Sequence, residues 1–260
     1  MNYTHLLIKN DAGIVTITIN RPEALNAINK QVMRDLNLFF SEGYKEIDKF
    51  HGVIITGAGE KAFVAGADIK EFSGFSADQG EALSAYGHDT YFLIERFHVP
   101  VIAVVKGYAL GGGCELAMAC HMRIAGPKAR FGQPEVNLGL IPGYAGTQRL
   151  IQLIGKSKAI ELLLTADMIG SDEARTLGLV NHVVAAGEEM SKAREILDKC
   201  GSKGPIAIAK TIELINDHFS PQLPAFRAES KAFGETIATE DCREGSAAFI
   251  EKRKPEFKGK

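Results

Sequence analysis

No two of the four cysteines, Cys114, Cys120, Cys200 and Cys242, stand in a C-x-x-C pair. A chain of 260 residues with 45% hydrophobic content builds a sizeable core without disulfide staples, so reduced thiols are expected. The sequence also lacks the roughly 18 uninterrupted apolar residues that a membrane-spanning helix needs. Its first residues, Met1-Asn2-Tyr3-Thr4-His5, carry neither the basic region nor the apolar run of a signal peptide. Together these point to a cytoplasmic protein with no membrane partner. An excess of one charge is missing too, since 30 basic residues stand against 32 acidic ones for a formal net charge of −2. That balance argues against a nucleic-acid surface, and the basic run Lys252-Arg253-Lys254 reads as a solvated end.

What is present is a regular alternation of strand and helix signals. Ile14 to Ile19 alternates apolar and polar residues, while Val53 to Thr56, Val101 to Val105 and Met122 to Ile124 are short apolar runs that read as buried strands. Between them, Asn29 to Tyr44 and Ala77 to Phe97 read as amphipathic helices, and Pro100 helps to end the second. Strands separated by helices predict an α/β fold. From about Lys156 the pattern is mostly helical, over Ser157–Leu164, Glu188–Cys200, Pro205–His218, Leu223–Thr239 and Asp241–Lys252. Periodicity alone would give one main domain with an open parallel sheet and a helical extension.

The most informative stretch is Gly111-Gly112-Gly113-Cys114-Glu115, followed by helix-forming residues to Ala119. A run without Cβ atoms can turn sharply and bring backbone N–H groups close to a ligand, here at the positive end of a helix dipole. The same triplet would also suit tight strand-to-helix packing, and both readings stand. A second carboxylate, Glu135, lies in Phe131-Gly132-Gln133-Pro134-Glu135. Buried near each other, two carboxylates share protons and can both donate and accept; alternatively, each simply occupies the first turn of a helix. A further glycine turn, Phe63-Val64-Ala65-Gly66-Ala67-Asp68-Ile69-Lys70, follows the Val53 strand. Its Ala67 N–H is a candidate second donor to the oxygen that Gly112 would face, as an oxyanion hole requires.

Other motifs carry less. Gly57-Ala58-Gly59-Glu60-Lys61 lacks the spacer and the hydroxyl residue of a phosphate loop and reads as a surface turn. His88, His98 and His121 show no metal-ligand spacing, so no metal is expected. No histidine adjoins Cys114, which reads as a small buried hydrophobe rather than a nucleophile.

Five blocks match a known family. They are Asn20-Arg21-Pro22-Glu23-Ala24-Leu25-Asn26-Ala27; Ala65-Gly66-Ala67-Asp68-Ile69-Lys70; Ala109 through Glu135 to Gly146-Thr147-Gln148-Arg149-Leu150; Glu173-Ala174 with Gly178-Leu179-Val180-Asn181; and Phe249-Ile250-Glu251-Lys252-Arg253. Over nearly its whole length the chain resembles the enoyl-CoA hydratase/isomerase, or crotonase, superfamily. The resemblance implies a spiral of stacked ββα units over residues 1–195, then a C-terminal helical region, 196–260, that takes part in trimer formation. It implies an acyl-CoA substrate, a homotrimer or a homohexamer built as a dimer of trimers, and no cofactor beyond the coenzyme A of the substrate.

By the same resemblance the N–H groups of Ala67 and Gly112 hold the thioester oxygen. Glutamate at both Glu115 and Glu135 is the hydratase pattern, whereas double-bond isomerases typically keep only the second. Contacts to substrate or coenzyme A are implied at Ala24, Leu25, Ala65, Asp68, Ile69, Lys70, Tyr144, Phe233 and Lys252. An enoyl-CoA hydratase is the expected activity, with a Δ3–Δ2 isomerase and a non-catalytic CoA-binding scaffold as alternatives. The sequence departs from the usual pattern at Tyr144-Ala145, where smaller residues are common, and at His121, where aspartate is usual. The first is expected to narrow the acyl pocket.

Overall fold

A computed structural model describes residues 1–218 and 223–256. Strands β1 (Leu6–Asp11) and β2 (Ile14–Ile19) form an antiparallel hairpin that turns at Ala12 and Gly13, both at positive φ. Helix α1 (Lys30–Ser41) follows, its first turn capped by the Asn29 side chain, which accepts from Val32 N. Three similar units come next. Each has one strand, then a second short strand, then a helix: β3 (Gly52–Gly57), β4 (Ala62–Val64) and α2 (Ala77–Glu95); β5 (Val101–Val105), β6 (Tyr108–Leu110) and α3 (Gly112–Ala119); β7 (Met122–Ala125), β8 (Arg130–Gly132) and α4 (Gly146–Ile154).

The first strands of the units pair in parallel within one six-stranded sheet, in the order β1-β2-β3-β5-β7 with a later strand at the far edge. The second strands pair in parallel in a separate four-stranded sheet. Because each unit visits both sheets before its helix, successive units stack as a spiral of ββα turns. The chain then runs through α5 (Lys156–Thr165), β9 (Ile169–Gly170), α6 (Ser171–Thr176), β10 (His182–Val183), α7 (Glu189–Gly201), α8 (Pro205–His218), α9 (Leu223–Ile237) and α10 (Glu240–Glu251). The pairing of β9 with β8 is antiparallel, and β10 closes the large sheet beside β7. The expected open parallel sheet is thus two sheets. Strands of three residues are too short to show a period of two, so the small sheet left no pattern in the sequence.

Both faces of the large sheet are covered, which explains why its strands read as unbroken apolar runs. Val15, Ile17, Val53, Ile55, Val101, Ala103 and Val105 point into the main core. Ile14, Ile54, Ile102, Val104 and Ile124 point the other way, against Ala193 and Leu197 of α7. The absence of a side chain at Gly52 admits Leu197, since a Cβ there would sit 2.6 Å from its Cδ2. Residues 195 and 196, where the resemblance divides the chain, both lie inside α7.

Helices α2 and α9 meet almost backbone to backbone. A Cβ on Gly80 would lie 2.4 Å from Ile237 Cγ2, and one on Gly234 would lie 2.3 Å from the Ala77 carbonyl. Among the described residues no helix is long and apolar enough to cross a membrane. Leu197→Ala is expected to cost about 2–5 kcal/mol of stability, read from urea unfolding; a loss well below that range would show that α7 does not seal this face.

Candidate active site

The turn from β6 into α3 sets the site. Gly111 takes φ +48°, and a Cβ there would stand 2.7 Å from Glu135 Oε1. A Cβ on Gly113 would lie 2.0 Å from the Val64 carbonyl, so α3 packs on β4 only because this position is glycine. The packing reading of the triplet is thus met at Gly113, while Gly112 lines the cavity. Gly112 is the first residue of α3, and its N–H belongs to the turn that has no intrahelical acceptor. Tyr91 of α2 holds the next peptide, donating its hydroxyl to Gly112 O at 2.9 Å.

The second turn lies alongside. In the parallel bridge between Ile28 and Ala67, Ile28 N donates to Gly66 O and Asp68 N donates to Ile28 O. Both links are made by the neighbours of Ala67, which turns the Ala67 N–H away from Ile28. A Cβ on Gly111 would lie 3.8 Å from Gly66 Cα, so the two glycine turns touch. Ala67, Gly112, Glu115 and Glu135 all line one cavity of about 540 Å³.

Glu115 is buried, and a buried carboxylate has to be given hydrogen bonds. It gets them from the backbone: Tyr144 N and Gly146 N both donate to Glu115 Oε1 at 2.7 Å. The intervening Ala145 adopts φ +74°, the left-handed conformation that lets alternate N–H groups converge on one oxygen. From the other side, Arg149 Nη1 donates to Tyr144 O at 2.9 Å while its Nη2 pairs with Glu95 at 3.0 Å. Glu135 opens a short 3-10 helix, Glu135–Leu138. With its amide oriented as its neighbours require, buried Gln133 donates to Glu135 Oε1 at 3.0 Å and to Oε2 at 3.1 Å.

Burial, then the nearby charge of Glu115, raises the Tyr144 phenol above its ordinary range, and the same two causes raise Tyr91. Both stay protonated; Tyr144 lines the cavity, and Tyr91 lies behind it with its hydroxyl on Gly112 O. The Tyr144 ring is wedged between helices, since a Cβ on Gly87 would lie 2.1 Å from its Cδ1 and one on Gly112 3.2 Å from its Cδ2. Burial also raises the Cys114 thiol, followed by the charges of Glu135 and Glu115, which suits a packed thiol and not a nucleophile. The unusual His121 has a structural place: Nδ1 accepts from Val101 N and Nε2 faces Glu95 O, which assigns the proton to Nε2. Burial holds its pKa below the ordinary value, so it is neutral there.

Of the implied contacts, Leu25, Ala65, Ile69, Tyr144 and Phe233 line the cavity. Ala24, Asp68, Lys70 and Lys252 do not: Ala24 lies in the 3-10 turn Pro22–Ala24, and Asp68 pairs with Arg21 at 3.1 Å. Lys70 is exposed, and Lys252 caps α10 at φ +56°. Sequence reasoning missed Gln133, the Tyr144 and Gly146 N–H donors, and Phe72, Met168 and Phe249 in the lining. For the donors, Gly143 shortly before α4 and Gly146 at its start were the available signal. Among the described residues no three His, Cys, Asp or Glu side chains come together as a metal site would require.

Comparison with known proteins agrees with this geometry. The family described as enoyl-CoA hydratase/isomerase matches residues 9–260. A short-chain-enoyl-CoA hydratase of Clostridium acetobutylicum is 44% identical, covering 98% of each chain, and a crotonyl-CoA hydratase of Syntrophomonas wolfei is 42% identical over 99% of each. Among solved structures, an enoyl-CoA hydratase from Bacillus anthracis is 38% identical with a TM-score of 0.79, covering 99% of this chain and 100% of its own. Another, from Mycobacterium avium subsp. paratuberculosis, reaches a TM-score of 0.88 at 27% identity, with coverage of 99% and 100%. The two-sheet spiral is thus the crotonase fold, and the protein is an enzyme of that class. The chain belongs to the enoyl-CoA hydratase/isomerase family.

Gly111→Ala, which adds a methyl group beside Glu135 at a left-handed backbone position, is expected to cost about 1–3 kcal/mol, read from thermal unfolding. An unchanged melting temperature would show that the turn tolerates a side chain.

Proposed function

We propose that the protein is an enoyl-CoA hydratase that adds water reversibly across the 2-trans double bond of an enoyl-CoA to give a 3-hydroxyacyl-CoA. One observation supports this: two carboxylates share a single cavity with Ala67 and Gly112, and one carboxylate is fixed by backbone donors. The Ala67 and Gly112 N–H groups hold the thioester oxygen and stabilise the negative charge that develops on it. Electron density leaves C3. Glu115 orients the attacking water and takes its proton as the oxygen bonds to C3; Glu135, protonated, delivers hydrogen to C2 as the enolate collapses. Transfer of the proton from Glu115 back to Glu135, through solvent or directly, completes the cycle. Written this way, the reaction consumes only water and needs no metal or redox group.

Tyr144 and Phe233 line the cavity with aromatic rings, which favours short acyl chains. The homologue named as a short-chain-enoyl-CoA hydratase supports the same preference. The four cysteines are unpaired, which fits the cytoplasmic location expected from the sequence. Exposed Ile206, Leu214 and Ile215 on α8 leave an apolar surface that a homotrimer or homohexamer would cover.

The test follows the loss of enoyl-thioester absorbance with crotonyl-CoA and longer 2-enoyl-CoAs. Glu115→Gln and Glu135→Gln are each expected to lower kcat at least about a hundredfold in a folded protein. Near wild-type turnover in either would remove that residue from the mechanism, and kcat/KM rising with chain length would overturn the short-chain preference. Multi-angle light scattering is expected to give three or six times the 28.1 kDa chain mass; a monomer would refute the assembly.

A further inference from the structure

Helix α9 reaches the catalytic loop through a line of buried hydroxyls. Ser84 and His88, one turn apart on α2, and Ser230 of α9 are all buried. The Ser84 hydroxyl donates to Gly143 O, Ser84 and Ser230 oxygens lie 3.2 Å apart, and Ser230 Oγ lies 2.9 Å from His88 Nδ1. Gly143 O can only accept, which uses the single Ser84 proton. Ser230 thus links Ser84 to His88 in one buried line. Gly143 immediately precedes Tyr144, whose N–H is one of the two donors to Glu115. A second contact of α9 meets the same place, since a Cβ on Gly143 would lie 2.8 Å from the Phe233 ring.

We propose that Ser84 and Ser230 are positioning residues that couple the docking of α9 to the loop 143–146, and through it to the orientation of the Glu115 carboxylate. The C-terminal helical region thereby acts on the chemical step without touching the reacting atoms. Because Ser230 reaches the loop through Ser84, the two form a series and not a pair of independent supports. The effect belongs in kcat, since Glu115 works on water in the transition state, and not in the binding of the CoA ester.

The catalytic consequence rests on the hydratase reading, but the coupling can be read without it. Hydrogen–deuterium exchange is measured in the wild type, Ser84→Ala, Ser230→Ala and the double variant, beside crotonyl-CoA kinetics. Ile237→Val serves as a comparison because it loosens the same α2–α9 contact without altering a hydroxyl. Faster exchange at the Tyr144 and Gly146 amides is expected in both serine variants, with kcat down about tenfold in Ser84→Ala and KM within about twofold. The double variant should be no slower than Ser84→Ala, and Ile237→Val should lose stability while keeping kcat. Unchanged exchange in Ser230→Ala overturns the coupling. Unchanged kcat, a rise confined to KM, multiplied effects in the double variant, or an equal fall of kcat in Ile237→Val overturns the positioning role. A wild type without turnover on any 2-enoyl-CoA refutes the hydratase reading alone, and the exchange data still decide the coupling.

Discussion

A carboxylate removed from water has to be stabilised by fixed hydrogen-bond donors, and in this protein nearly everything around Glu115 follows from that requirement. The donors are two backbone N–H groups one residue apart, which converge on one oxygen only because Ala145 between them takes a left-handed conformation. That conformation is in turn held by Arg149 on the Tyr144 carbonyl and by Ser84 on the Gly143 carbonyl. A buried cation, a left-handed alanine and a buried serine, each costly or unusual alone, become consistent once they are seen to define one loop.

Glycine does similar work on the opposite wall. Three successive residues without Cβ atoms answer three different needs: Gly111 makes the turn and leaves room for Glu135, Gly112 opens α3 at the cavity against the Tyr144 ring, and Gly113 lets α3 lie against β4. Neither packing nor ligand access alone describes the triplet. The close fit of α3 on β4 fixes where Gly112 points, so precision at the site comes from the rigidity of the spiral beneath it.

Much of this was legible in the sequence, for identifiable reasons. Long strands with apolar side chains on both faces, such as Val101–Val105, leave a clear signal, as do the helices α1, α2 and α7 to α10. Glu115 and Glu135 stood out because carboxylates among small apolar residues need an explanation. What escaped was carried by backbone or by distance along the chain. The N–H groups of Tyr144 and Gly146 have no side-chain signature, the three-residue strands β4, β6 and β8 are too short for periodicity, and Phe249 reaches the cavity from α10. The spiral itself followed from resemblance, since each turn is built from different residues and leaves no internal repeat.

Helix α2 meets the site four times along one stripe: Ser84 on Gly143, Gly87 under the Tyr144 ring, Tyr91 on Gly112 and Glu95 on Arg149. These positions are spaced by three or four residues, the period at which a helix returns to the same face. The helix therefore works as a ruler, with marks that are set by its pitch and not by any one residue. One residue added between Ser84 and Glu95 would turn every later mark by about 100° and advance it by about 1.5 Å. This stretch has to keep its count of residues even where their identities change.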